Sequence, residues 1–240
     1  MAISDTQIIA PERETLMAFF AAADRRFGTL GLTATLRWSW DGLREFWEAC
    51  GYPFFEGYTD QSNPSGFWLD IQKDGRTIAT GGGIPIVLAS DLLEHLEAVG
   101  LTANPLDVWE VEGDARTVCQ AVTDRAIFTG AISVAPEYRR SELSRALVED
   151  LIPPTIRAAG RARWNAPHYF YFTKDGRAVE GRFRAEGLTR RVNWYRKPEG
   201  VARKEQEDRN NWTLVNHHSL GYSSPAFVLE RCREVIRSAP

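Results

Sequence analysis

Apolar side chains recur at helical spacing from residue 11 to 27, at Leu16, Phe19, Phe20, Ala23 and Phe27. Pro11 suits the first turn of that helix, and Glu12 and Glu14 suit its positive end. Gly28 ends it. Residues 32 to 40 alternate roughly and are rich in Thr and Trp, which predicts a strand. Asp41 then caps a short helix over 42 to 50, with Leu43, Phe46 and Trp47 on one face and Gly51 beyond its end. Residues 52 to 65, with Pro53, Gly57, Asn63 and Pro64, read as a loop. The clearest hairpin follows: a strand over 67 to 72, a Lys73-Asp-Gly-Arg76 turn, and a return strand over 77 to 86. Gly81, Gly82 and Gly83 interrupt the return strand, as a bulge or close packing does, or a ligand lying against bare backbone.

Further on, 91 to 99 reads as a helix capped by Asp91, 107 to 112 as a strand, 115 to 123 as a short helix and 126 to 134 as a strand. The period then switches to helical over 141 to 152, with Leu143, Leu147 and Leu151 four apart and Pro153-Pro154 as a break. A buried strand at 168 to 173, a helix at 177 to 186 ended by Gly187, and a strand at 188 to 197 complete a core domain over 1 to 198. Residues 198 to 211 are charged and lack a core pattern, so 199 to 240 is set apart as a linker and a C-terminal extension. That extension is a strand and then a helix from 224 to 237, packed on its own domain or, as a homodimer, on a second copy.

Composition narrows the classes. The 240 residues are 43% hydrophobic and 25% charged with a net charge of −3, an ordinary globular mixture rather than a disordered or strongly basic chain. Apart from Lys73, Lys174, Lys197 and Lys204 every basic side chain is Arg. The Arg-rich stretch 182 to 196 alternates with strand residues, as a solvated strand face does, so no nucleic-acid partner is expected. Cys50, Cys119 and Cys232 are far apart and form no CxxC pair, so neither a disulfide framework nor a metal site is expected. No apolar run approaches 18 residues and the first residues lack a basic start and apolar core. A cytoplasmic protein with no membrane partner is the expectation.

One segment carries chemistry: Ala126-Ile-Phe-Thr-Gly-Ala-Ile-Ser-Val-Ala-Pro-Glu-Tyr-Arg-Arg-Ser-Glu-Leu-Ser-Arg-Ala-Leu147. A strand runs into Pro136, Tyr138-Arg139 and an amphipathic helix. Backbone N–H groups at a helix N-terminus are suited to hold a pyrophosphate. The segment resembles the central motif of the GCN5-related N-acetyltransferase superfamily: strand, then Arg/Gln-x-x-Gly-x-Gly/Ala, then helix. Downstream, Phe183-Arg-Ala-Glu-Gly-Leu188 is similar to that family's Tyr-x-x-x-Gly-Phe, and the hairpin at 67 to 86 sits where the family has its second and third strands. The resemblance spans roughly residues 12 to 197 and implies an α/β (α+β) fold: a mixed, mainly antiparallel twisted sheet flanked by helices.

It also implies an acyl-CoA-dependent N-acyltransferase, with acetyl-CoA or another acyl-CoA as donor, no metal, and a small-molecule or peptide amine as acceptor. The donor's carbonyl oxygen and pantetheine arm are expected on the backbone of Ser133, Val134 and Ala135. Its phosphates are expected near Arg139, Arg140, Ser141, Ser144 and Arg145. Arg139 matches the motif, but Glu142 and Ser144 stand at its glycine positions, and Phe183 stands where the family has its Tyr acid. A carboxylate at Glu142 opposes phosphate by like charge. Glu110 and Glu112, two apart on one strand, and His168 are candidates for the base that deprotonates the amine. Tyr169 or Tyr171 is a candidate replacement for the missing acid. His217-His218 reads as an exposed loop, and Trp38, Trp40, Phe54, Phe55, Tyr58 and Trp68 as mostly core. The altered motif keeps two other readings open: a catalytically inactive binding or regulatory protein of the same fold, and an acyltransferase that uses a donor other than CoA.

Overall fold

The computed structural model describes residues 2–52, 64–98, 100–101, 107–174, 185–197 and 213–239. The expected loop residues Phe54, Phe55 and Tyr58, the helix expected at 177 to 186 with Phe183, and the charged stretch 198 to 211 fall outside those residues, wholly or for the most part. In chain order the elements are α1 (Arg13–Thr29), β1 (Thr33–Arg37), α2 (Asp41–Ala49), β2 (Phe67–Lys73), β3 (Arg76–Asp91), α3 (Leu92–Ala98), β4 (Asp107–Val111), α4 (Gly113–Ala121) and β5 (Thr123–Val134). They are followed by α5 (Glu142–Arg145), a π-helical turn (Ala146–Leu151), α6 (Ile152–Trp164), β6 (His168–Lys174), β7 (Gly187–Arg196), β8 (Thr213–Ser223) and α7 (Pro225–Ser238).

The eight strands form one mixed sheet in the order β1-β2-β3-β5-β6-β8-β7-β4. Every neighbouring pair is antiparallel except β5 and β6. The fold class is the one the sequence implied. The Asp74-Gly75 hairpin is present, with both residues at positive φ (51° and 76°), which only such a turn pair adopts readily. Asp91 caps α3 by accepting from the Glu94 N–H at 2.8 Å.

Alternation along the strands feeds two cores. Ile127, Tyr169, Leu69 and Ala79 join α1, α6 and α7 on one face, while Ala126, Phe128, Phe170 and Trp109 join α3, α4 and Leu43 of α2 on the other. Trp40 and Trp68 are buried, and Trp38 packs against Phe67 and Trp164, so these aromatic rings are core as expected.

Several boundaries differ from the sequence pattern: β3 runs on to Asp91, α2 begins at Asp41 with Trp40 as its N-cap, and two differences bear on the site. Residues 213–238 are no appended extension: β8 sits between β6 and β7, and α7 buries Val228, Cys232 and Val235 beside α1. Its nearest pairing, Arg196↔Thr213, spans the charged stretch 198 to 211, so local pattern carried no sign of its place. Nor do Pro153-Pro154 break the helix. They occupy the first turn of α6, where a helix N–H has no helical acceptor, and the π-turn before them absorbs the change of register.

Helix α6 presses hard on the sheet. A Cβ on Gly81 of β3 would come within 2.4 Å of Ile152 Cγ2 and Ile156 Cδ1. The glycine run therefore serves close packing. Arg161 anchors the other end of α6, pairing with Glu12 at 2.8 Å and donating to the carbonyl oxygens of Asn165 and Ala166. Gly81→Ala is expected to cost about 1–3 kcal/mol by overpacking against α6. Denaturant unfolding checks this, and an unchanged midpoint would show that the helix can retreat.

Candidate functional site

Strands β5 and β6 run parallel but pair over three positions only, Ala126–Phe128 with His168–Phe170. Beyond them the two strands continue apart. Between Thr80↔Ser133 and Gly82↔Gly130, β5 spends two residues, Ala131 and Ile132, against the single Gly81 of β3. That is a β-bulge, and Ala131 takes a left-handed φ of 52° to make it. Thr80, fully buried, clamps it by donating to the Ala131 carbonyl at 2.9 Å, and the Trp47 indole donates to the Thr80 hydroxyl at 3.4 Å.

The divergence opens a cleft of about 800 Å³. Residues Phe128 to Val134 of β5 form one wall, and Phe172 and Thr173 of β6 line the other. A smaller chamber of about 190 Å³ shares the bulge residues and Trp47, and is bounded on the helix side by Pro153, Ile156, Arg157 and Tyr171. The rings of Phe172, Trp109, Trp194 and His218 make up the aromatic end of the cleft. Trp109 stacks on Trp194 at 5.7 Å and on Phe172 at 5.1 Å, and lies 5.7 Å from His218. The cleft's other end carries Arg139, Arg140 and Ser144. No Asp or Glu lies among the described residues that line either space.

Of the residues expected to hold a donor, Ser133, Val134, Arg139, Arg140 and Ser144 line the cleft. Ala135 donates to the Ile78 carbonyl at 2.8 Å, so its N–H is engaged within the sheet. In an antiparallel ladder neighbouring residues alternate in direction, so the N–H and C=O of Val134 turn away from β3. Its carbonyl accepts from the Tyr52 hydroxyl at 3.0 Å and from Arg139 Nε at 3.2 Å. The Arg139 guanidinium also lies 4.7 Å over the Tyr52 ring. Arg139 thus braces the mouth, while Arg140, exposed and at φ 63°, brings a second positive charge there. Ser141 is the N-cap of α5, accepting from the Ser144 N–H at 3.1 Å, and is not part of the lining. Arg145 and Glu142 are exposed and outside the lining, so Glu142 does not occupy the cleft.

The base candidates fare differently. Glu110 and Glu112 alternate with Trp109 and Val111, and it is Trp109 that lines the cleft; both carboxylates lie outside it, one at half-buried Glu110 and one at exposed Glu112. His168 begins β6 four residues before Phe172, roughly 13 Å along the strand from the cleft. Burial holds its pKa below the usual value, partly offset by Asp124. Tyr171 does reach the smaller chamber. Burial raises its hydroxyl pKa, with Arg157 pulling the other way, so it stays protonated. The cysteines offer no activated nucleophile: burial pushes the thiols of Cys119 and Cys232 up to about 12 and raises that of Cys50.

Three site residues escaped the sequence reading. His218 is no loop residue but a buried member of β8 in the cleft. The alternation at 213–223 hinted at the strand, and nothing local told which face was inward. Trp109 was passed over for its acidic neighbours. Arg157 lay beyond the supposed helix break.

No protein-family model and no curated protein matches the chain. Among solved structures it is similar to FeeM, an N-acyl amino acid synthase from uncultured soil microbes, at 10% identity and a TM-score of 0.44 over 85% of this chain and 93% of that one.

Thr80→Val keeps the shape but leaves the Ala131 carbonyl without its buried donor. It is expected to cost about 1–3 kcal/mol and to loosen the bulge. Amide hydrogen exchange localised to 129–134 checks it, and unchanged exchange there would mean that the bulge holds without the clamp.

Proposed function

We propose that the protein is an acyl-CoA-dependent N-acyltransferase that passes an acyl group directly to an amine held at the aromatic end of the cleft. The observation that carries the reading is the gap between β5 and β6, which starts at a backbone bulge and joins an arginine-bearing mouth to an aromatic end. The mouth suits the phosphates of CoA, through the charges of Arg139 and Arg140 and the N-terminal end of the helix that begins at α5. The outward N–H of Val134 suits a carbonyl oxygen of the pantetheine arm, its own carbonyl being held by Tyr52 and Arg139. The bulge brings backbone to the thioester carbonyl, where an oxyanion forms.

Direct transfer then needs a base. His218 is the imidazole among the described residues of the cleft. The acceptor ammonium gives one proton to solvent, the free amine nitrogen attacks the thioester carbon as His218 takes its second proton, and a tetrahedral oxyanion forms. Collapse breaks the C–S bond, and the imidazolium returns the proton to the departing thiolate. His218 replaces Glu110, Glu112 and His168 in this role because it shares the cleft. A second reading, a binding protein of the same fold, draws support from the engagement of Arg139 and the Ala135 N–H within the protein itself.

Calorimetry with acetyl-CoA tests the reading. Saturable binding is expected, and Arg140→Ala is expected to weaken it about 5- to 20-fold, through loss of a charge-assisted phosphate contact. Absence of binding at millimolar ligand would overturn the proposal. Glu142→Gln is expected to change affinity less than about threefold, since the carboxylate is exposed and screened. A large gain would show that it blocks the phosphate site.

A further inference from the structure

The smaller chamber contains a cation that the transfer described above does not use. Arg157 is 3% exposed, on the face of α6 that packs against the sheet. With the half-buried Tyr171 it lines a space of about 190 Å³, room for roughly six water molecules. The backbone of Thr129–Ile132 closes the opposite side and is shared with the main cleft, so the chamber opens at the bulge. A donor whose thioester lies at the bulge therefore has this chamber within reach of its acyl group.

The chemistry of the walls is selective. Among the described residues Tyr171, Tyr169 and Arg231 act on Arg157; burial of the guanidinium lowers its pKa to about 10, and it remains charged at neutral pH. The ring of Tyr171 lies over Gly221 of the facing strand, where a Cβ would fall 2.1 Å from Cζ, so the phenol is held in place. An acyl chain ending in a methyl group would set apolar carbon against a buried guanidinium and a phenol hydroxyl. A carboxylate would meet a planar fork of donors and an O–H donor, with no Asp or Glu among the described lining residues to repel it.

We infer that this chamber is an acyl-end pocket for a short acyl group terminating in a carboxylate, with Arg157 and Tyr171 as its specificity-determining donors. The inference rests on the acyl-CoA reading above. It sets the donor as a dicarboxylic acid monothioester of CoA of about four carbons, rather than an acetyl or a long-chain one.

Calorimetry with three stable ligands tests it: CoA itself, the thioether S-butyl-CoA, and S-(3-carboxypropyl)-CoA, in which a carboxylate replaces the terminal methyl. The wild-type protein is expected to bind the carboxypropyl ligand at least 10-fold more tightly than the butyl ligand. Arg157→Met is expected to abolish that preference while leaving S-butyl-CoA affinity within about threefold. Tyr171→Phe, a milder change should the Met variant fail to fold, is expected to reduce the preference severalfold. Equal or tighter binding of S-butyl-CoA by the wild type would overturn the inference and leave the acyl-CoA reading standing. So would an Arg157→Met loss shared equally by all three ligands, which would mark a structural role. Failure of all three, CoA included, to bind the wild type would overturn both.

Discussion

The site depends on a parallel strand pair that stops pairing after three residues. A β-strand whose neighbour leaves must satisfy its exposed N–H and C=O groups by other means. Here Val134 offers its carbonyl to Tyr52 and Arg139, and Thr129 donates its hydroxyl to the Phe170 carbonyl at 3.2 Å. What remains is an edge of backbone facing a gap, inside a sheet that is otherwise continuous. Each surrounding element holds the gap open. Gly81 lets α6 lie against β3, the bulge at Ala131–Ile132 bends β5, and β8 pairs with β6 along the side that faces away from β5.

The gap joins environments that differ in charge. The mouth is exposed and cationic, the floor is a set of packed rings, and the chamber under α6 holds a desolvated guanidinium. These surroundings suit anionic, apolar and carboxylate-bearing groups in turn. The buried indole nitrogens of Trp109 and Trp194 have no hydrogen-bond partner among the described residues, so the aromatic end suits a ligand that brings an oxygen acceptor along with its apolar surface.

Much of the fold was legible in the sequence because its signals are local. The Asp74-Gly75 turn, the Asp91 cap, the four-residue leucine spacing after Ser141 and the strand before Pro136 each rest on neighbours within a few residues. The strand-to-helix segment was legible for the same reason, and five of its eight expected donor-binding residues line the cleft. The rest depended on distant pairing. Where β8 inserts is decided by β6 and β7, so His218 could not be assigned a face from its own neighbours. Glu110 stood out by charge, yet alternation from Trp109 turned it to the other side. Pro153-Pro154 looked like a stop because a π-turn, which has no simple sequence signature, removes the conflict.

Amide hydrogen exchange with and without saturating CoA tests the central claim most directly, that the gap between β5 and β6 is where the donor lies. The account predicts new protection confined to 132–134 of β5 and 140–144 at the start of the helix. Protection elsewhere on the sheet, with these two segments unchanged, would contradict it.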